Sequence, residues 1–185
     1  MVNQLILASK SPRRRELLAL CGVEFLSVEA DVDETFDPTM DVVSACESIA
    51  LKKASKVLSL HPHAVVLGSD TIVVVDNNIL GKPANEEDAF RMLRLLSSRT
   101  HQVITSVAII SKDHQDVFTS IVDVKMIELS DQMILDYIRT GEPFDKAGAY
   151  GIQGKAATFV EWISGDYYAV MGLPVVKVAQ RLKNI

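Results

Sequence analysis

"LILASKSPRRRELLALCG", residues 5–22, decides the fold class. The apolar run Leu5 to Ala8 reads as a short buried strand, while Ser11 as N-cap, Pro12 at the first helical position and Gly22 after Cys21 bracket a short helix. A strand, a tight loop and a helix in succession open an α/β fold. Arg13, Arg14 and Arg15 fill the first turn of that helix, where the macrodipole favours acids and each misplaced cation costs roughly 0.3–1 kcal/mol. Two arrangements compensate such a cluster. Backbone N–H groups, dipole and guanidinium forks together hold a phosphate, or the arginines pair with the nearby acids Glu29, Asp31, Asp33 and Glu34. Arg14 precedes Leu17 by three residues and Leu18 by four, so its stem lies beside the buried face.

Working outward, Val23 to Ser27 reads as a second strand and "EADVDETFDP" as an acidic loop. A long helix is expected from about Thr39 to Leu60, with Val42, Cys46, Ile49, Ala50 and Val57 at helical spacing. Lys53 lies on that stripe, four residues from both Ile49 and Val57, whereas Lys52 points about 100° away. Lys53 therefore either meets a partner in a cleft or snorkels to the surface. "AVVLGSDTIVVVDNNILGKP" gives a strand, a turn at Asp76 to Asn78 and a return to Gly81 and Pro83. Asp70 interrupts the apolar run, and an uncompensated carboxylate there is costly. Strand alternation puts Asp70 on the face of Gly68 and Ile72, opposite Ser69 and Thr71. It is a structural ion-pair partner, a general base or a metal ligand, and Lys82 in "LGKP" returns toward the same strand.

Asn85 caps a helix to about Leu96, strands are expected at 102–111 and 117–128 around "KDHQD", and Ser130 starts a helix closed by Gly141. "AATFVEWISG" and "YYAVMG" read as a hairpin, and Pro174 opens a last amphipathic helix through Val175, Val178, Ala179 and Leu182. "GEPFDKAGAYGIQGK" is a glycine-rich loop. Its Gly148, Gly151 and Gly154 suit either close approach to a ligand or a turn-rich connector, and their spacing matches neither GxxxxGK[ST] nor GxGxxG. Gln153 offers a donor and an acceptor side by side, which suits the edge of a pyrimidine base.

The totals fit this reading. With 185 residues, 48% of them apolar, and no repeat, low-complexity tract or linker, residues 1–185 are expected to form one α/β domain with a mixed sheet. The net charge of −5, from 19 basic and 24 acidic residues, argues against a nucleic-acid partner. A small polyanion remains compatible with the basic helix start, because screening confines its field to roughly 8–10 Å. No apolar stretch approaches the roughly 20 residues that span a bilayer, and "MVNQLIL" lacks the features of a secretory signal, so a cytoplasmic protein without membrane partners is expected. Cys21 and Cys46 read as core thiols at apolar positions of helices.

"SKSPRRRELL", "GSDTIV", "LGKP" and "KAGAYGIQGKAATFVEWISGDYYAVMGLP", in this order, resemble the Maf family of nucleoside triphosphate pyrophosphatases essentially end to end. The resemblance implies an elongated mixed sheet flanked by helices, with two lobes around a central cleft as in the inosine triphosphate pyrophosphatases, and a homodimer. It implies cleavage between the α and β phosphates with a divalent metal, Mg²⁺ or Mn²⁺. Carried over by motif, Ser9, Arg13 and Arg14 would hold the triphosphate, Lys53 and Lys82 would be the catalytic lysines, and Asp70 the proton acceptor, with Glu34 and Asp70 at the metal. "SDT" and "YGIQG" resemble the branch acting on dTTP and UTP, in which Arg13, Thr71 and Gln153 select the base. Lys10 departs from the smaller residue of many relatives and adds positive charge. The rival reading is a nucleotide-binding regulator of cell division or septum formation, with the same arginines sensing a nucleotide rather than cleaving it.

Overall fold

A computed structural model of the chain describes residues 4–183. Its strands are β1 (Leu5–Ala8), β2 (Leu26–Val28), β3 (Val65–Val75), β4 (Asn78–Leu80), β5 (Thr100–Ile110), β6 (Gln115–Met126) and β7 (Val160–Ser164). Its helices are α1 (Pro12–Ala19), α2 (Val42–Leu60), α3 (Glu86–Leu96), α4 (Asp131–Ile138), α5 (Tyr167–Met171) and α6 (Val175–Leu182). The seven strands form one sheet in the order β2-β1-β3-β5-β6-β7, with β4 on β3. Parallel β1–β2 and β1–β3 pairs stand beside antiparallel β3–β4 and β6–β7 pairs, which makes the sheet mixed, as expected. Among the described residues no helix is long and apolar enough to cross a membrane.

Two compact units divide the chain. The first contains the described residues up to Thr71, Thr105–Ser120 and those from Gly172 onward. Its core is α2 laid on β1 and β3, with Ile6, Ala8, Ala50, Ala54, Val57 and Val66 buried together. Burying the Ile6, Val57 and Val66 side chains contributes roughly 1.5–3 kcal/mol each relative to exposure. The approach is close because Gly68 has no side chain: a Cβ would lie 2.4 Å from the Ala50 carbonyl oxygen and 2.8 Å from the Ala54 nitrogen. Ser11 caps α1 by accepting from the Arg14 N–H, and Gly22 takes φ +68° just beyond the helix. Helix α2 begins at Val42 instead of Thr39. Thr39 is tied to Asp37 through its N–H and hydroxyl, whereas Asp41 accepts from the Val43 and Ser44 N–H groups and so becomes the cap. The strand expected from Val23 is confined to Leu26–Val28, the residues in register with Ile6–Ala8.

The second unit contains Ile72–Ile104 and Ile121–Met171. Asp76 and Asn77 both take positive φ, 49° and 60°, and turn β3 back into β4 as expected. Helices α3 and α4 cover a core that includes Val73, Leu93, Val103, Val124, Ile134 and Phe159. Strands β5 and β6 join through a tighter connection than expected, with the Ser111 N–H donating to the His114 carbonyl. The expected hairpin at 156–172 is overturned. Strand β7 pairs with β6, and the following residues form α5, because the Asp166 carboxylate accepts from the Tyr168 and Ala169 N–H groups. Cys46 is buried in α2, while Cys21 lies beyond the end of α1 and is half-buried; both are free thiols.

Candidate functional site

The first unit brings Lys53, Asp70 and Glu34 together. Helical periodicity delivers Lys53 from the buried stripe of α2, and strand alternation turns Asp70 toward the same helix. The Lys53 ammonium donates to Asp70 Oδ1 at 2.7 Å, with both side chains more than nine-tenths buried. Glu34 Oε1 reaches the same nitrogen at 3.0 Å from the half-exposed acidic loop. Lys53 therefore does not snorkel. A buried carboxylate requires a counter-charge, and this lysine supplies it. About two turns before Lys53 in α2 the buried Cys46 thiol donates to the Asp70 carbonyl at 3.5 Å. Burial, with the Asp70 charge adding to it, pushes that thiol up to about 12, so it stays protonated.

The other face of β3 organises the arginine-rich helix start. Arg14 Nε donates to the Gly172 carbonyl at 3.0 Å, and its Nη2 donates to the Thr71 hydroxyl at 3.0 Å. Ser69 donates to the same Gly172 carbonyl at 3.0 Å, and Thr71 shares a 2.9 Å hydrogen bond with Thr105. These bonds fix the plane of the Arg14 fork. Burial pushes the Arg14 guanidinium down from its ordinary value, and the Asp70 charge pulls it back up. Arg14 thus donates to a carbonyl and a hydroxyl, while Glu29 is taken by Lys10, at 2.7 Å. Ser9 is buried at the end of β1 and accepts from the Ser11 N–H, while Arg13 is half-buried and Arg15 exposed. The first turn of α1 holds no acid, which leaves its positive end suited to an anion.

Lys82 and Gln153 belong to the second unit, and both are exposed. Their segments meet within that unit: the Gly148 N–H donates to the Gly81 carbonyl at 3.0 Å, joining "LGKP" to "KAGAYGIQGK". The latter is more ordered than a loop, with short 3-10 turns at Glu142–Asp145, Ala147–Ala149 and Lys155–Phe159. Gly148 takes φ +67° against Val73, where a Cβ would meet the Val73 side chain at 2.9 Å.

Sequence reasoning missed Gly172, Thr105 and Ser69 as the groups that orient Arg14. A carbonyl leaves no mark on residue type, and Gly172 stands 158 residues from Arg14; the visible hint was a glycine immediately before "LP". For a metal, Glu34 and Asp70 offer hard oxygen donors already drawn to one cationic centre. Among the described residues no group of three or more His, Cys, Asp or Glu side chains forms a cage. Two carboxylates without a cage fit Mg²⁺ or Mn²⁺, which commonly complete their shells with water and substrate phosphates.

Comparison with known proteins agrees with the fold and the motifs. A family model described as Maf-like protein matches residues 4–185. A "dTTP/UTP pyrophosphatase" of Geobacillus sp. (strain WCH70) is 47% identical over 184 residues, covering 100% of this chain and 99% of that one. Another protein of the same description, from Bacillus mycoides (strain KBAB4), is 49% identical over 183 residues, covering 99% and 96%. Among solved structures, the Ham1 protein of Staphylococcus aureus superposes with a TM-score of 0.56 at 13% identity, covering 98% of this chain and 99% of that one, a likeness of fold alone.

Proposed function

Since the chain belongs to the Maf-like protein family, we propose that it is a nucleoside triphosphate pyrophosphatase that hydrolyses dTTP and UTP to the monophosphate and pyrophosphate. The observation that carries the mechanism is the buried Lys53–Asp70 pair. Asp70 accepts a proton from the attacking water, whose oxygen bonds to the α phosphorus as the bond to the β-side bridging oxygen breaks. Ser9, Arg13 and Arg14 hold the triphosphate at the start of α1, where guanidinium forks and the helix dipole favour anions. Lys53 and Lys82 offset the charge that develops on departing pyrophosphate. Glu34 and Asp70 would hold Mg²⁺ or Mn²⁺, which supplies further neutralisation of phosphate oxygens when bound. Gln153 meets the pyrimidine edge, and Arg13 and Thr71 join it in selecting the base. The relatives' substrates, the acid-free helix start and the net charge of −5 support a small nucleotide substrate, and the working unit is a homodimer built from single 1–185 domains.

The test is a product assay with Mg²⁺ or Mn²⁺ and the common ribo- and deoxyribonucleoside triphosphates. UMP or dTMP with stoichiometric pyrophosphate, lost in Asp70→Asn, is the expected result. Diphosphate with free phosphate would place cleavage at the terminal phosphate and overturn the reading, as would binding of UTP without turnover.

A further inference from the structure

The turn that carries Gln153 rests on an acidic side chain outside the reacting groups named above. Glu142 opens the 3-10 turn Glu142–Asp145, and its two carboxylate oxygens serve different neighbours. Oε1 accepts from the Tyr137 hydroxyl of α4 at 3.1 Å, and Oε2 accepts from the Lys155 N–H at 3.1 Å. Gly154 lies directly against this carboxylate, so that a Cβ there would fall 1.8 Å from Oε1. The Glu142 carbonyl accepts from Lys146 Nζ at 2.6 Å, and the Lys146 stem lies under Gly151, where a Cβ would meet its Cε at 2.6 Å. The Gly154 N–H donates to the Gly151 carbonyl at 3.1 Å and closes the turn around Ile152 and Gln153. Both glycines that bound the Gln153 turn are thus seated on Glu142 and the lysine it holds. Tyr137 anchors the assembly, being 4% exposed and packed edge-on to Phe159 at 5.2 Å.

We infer that Glu142 is a positioning residue for base selection: through the Gly151–Gly154 turn it sets where the Gln153 amide stands, and so the preference for dTTP and UTP over purine triphosphates. This rests on the reading that Gln153 meets the base. A side chain on an unanchored turn samples many positions, and ordering it on binding reduces affinity without altering the reacting groups. Loss of Glu142 therefore acts on KM and on the pyrimidine-to-purine ratio, and leaves turnover at saturation nearly unchanged.

The experiment measures kcat and KM for UTP, dTTP, ATP and GTP, with melting temperatures, in the natural protein and in Glu142→Ala, Glu142→Gln, Tyr137→Phe and Gln153→Ala. Glu142→Ala is expected to lower the pyrimidine-to-purine ratio of kcat/KM about tenfold, through KM, with kcat for UTP within about threefold. Glu142→Gln restores most of the ratio, because its amide oxygen accepts from Lys155 and its NH₂ donates to the Tyr137 oxygen. Tyr137→Phe falls between the two. A lowered melting temperature with an unchanged ratio in Glu142→Ala makes the residue scaffold only and overturns the inference, and an unchanged ratio in Tyr137→Phe does the same if Glu142→Ala does not fold. If Gln153→Ala keeps the natural ratio, the reading of Gln153 and the inference fall together; if Gln153→Ala changes it while the Glu142 variants do not, the inference alone falls.

Discussion

Lys53 stands between two carboxylates of unequal burial: Asp70 at 2.7 Å from inside the fold and Glu34 at 3.0 Å from its surface. The inequality separates chemistry from stability. Asp70→Asn leaves Lys53 with Glu34 as counter-charge and an amide oxygen as acceptor, so it should cost less than about 2 kcal/mol, below the 3–5 kcal/mol of a broken buried pair. The same change removes the proton acceptor and should lower kcat at least about 100-fold. Lys53→Met should cost the full roughly 3–5 kcal/mol, because the buried Asp70 carboxylate loses its ammonium. Urea denaturation of the two variants checks the order, and a larger loss in Asp70→Asn would contradict it.

Gly68→Ala tests the seating of α2 on β3. The added methyl would stand 2.4 Å from the Ala50 carbonyl oxygen, a backbone atom that no side-chain rotation can move. Overpacking of this kind costs about 1–3 kcal/mol, a fall of roughly 2–12 °C in melting temperature for a chain of this size. Activity should fall further than stability does, since α2 carries Lys53. Calorimetry beside a UTP assay separates the two effects.

Gly148→Ala probes the second unit. It strains a backbone at φ +67° and drives a methyl to 2.9 Å from Val73. Only the second of these is relieved by shortening Val73, so Gly148→Ala combined with Val73→Ala should recover part of the loss but leave about 1 kcal/mol of backbone strain, beyond the cost of Val73→Ala alone. A double-mutant cycle by thermal denaturation measures the recovery, and strictly additive losses would contradict the contact.

His101 gives the fold a pH dependence of known sign. It is 2% exposed, 2.7 Å from the Tyr150 hydroxyl, and burial pushes its pKa down from 6.5 to about 4. Between those values the unfolded chain binds a proton that the folded chain refuses, so stability is fully present above pH 6.5 and is lost as pH falls toward 4. The loss is roughly 3 kcal/mol at most. His101→Gln should flatten the fall of melting temperature over this window whatever its effect at pH 7, and an unchanged slope would remove His101 from the acid response.

The parts legible in the sequence were those written in spacing. Ser11, Pro12 and Gly22 bounded α1; the four-residue interval from Ile49 to Lys53 to Val57 put the lysine on a buried face; alternation along β3 put Asp70 there too. Where two local signals competed, spacing failed. "YYAVMG" has the aromatic and β-branched residues of a strand, yet the Asp166 side chain captures two N–H groups and starts a helix whose Ala169 is fully buried. The expected start of α2 near Thr39 fails because Thr39 pairs with Asp37, which leaves Asp41 to cap the helix. The orientation of Arg14 was illegible because it depends on a carbonyl and on two hydroxyls brought in by the fold.

The Arg14 bond to the Gly172 carbonyl also sets an order of events during synthesis. The first compact unit gathers its residues from both ends of the chain and from Thr105–Ser120, and the acceptor for Arg14 emerges from the ribosome 158 residues after it. At roughly 5–20 residues per second the nascent arginine cluster waits many seconds for the partner that orients it. Until Gly172 appears, the strand, helix and basic turn at the start of the chain lack one of their closing contacts. A ribosome stalled upstream of Gly172 should therefore display a nascent chain that remains protease-sensitive at Arg14, and release of the last segment should protect that position in a single late step.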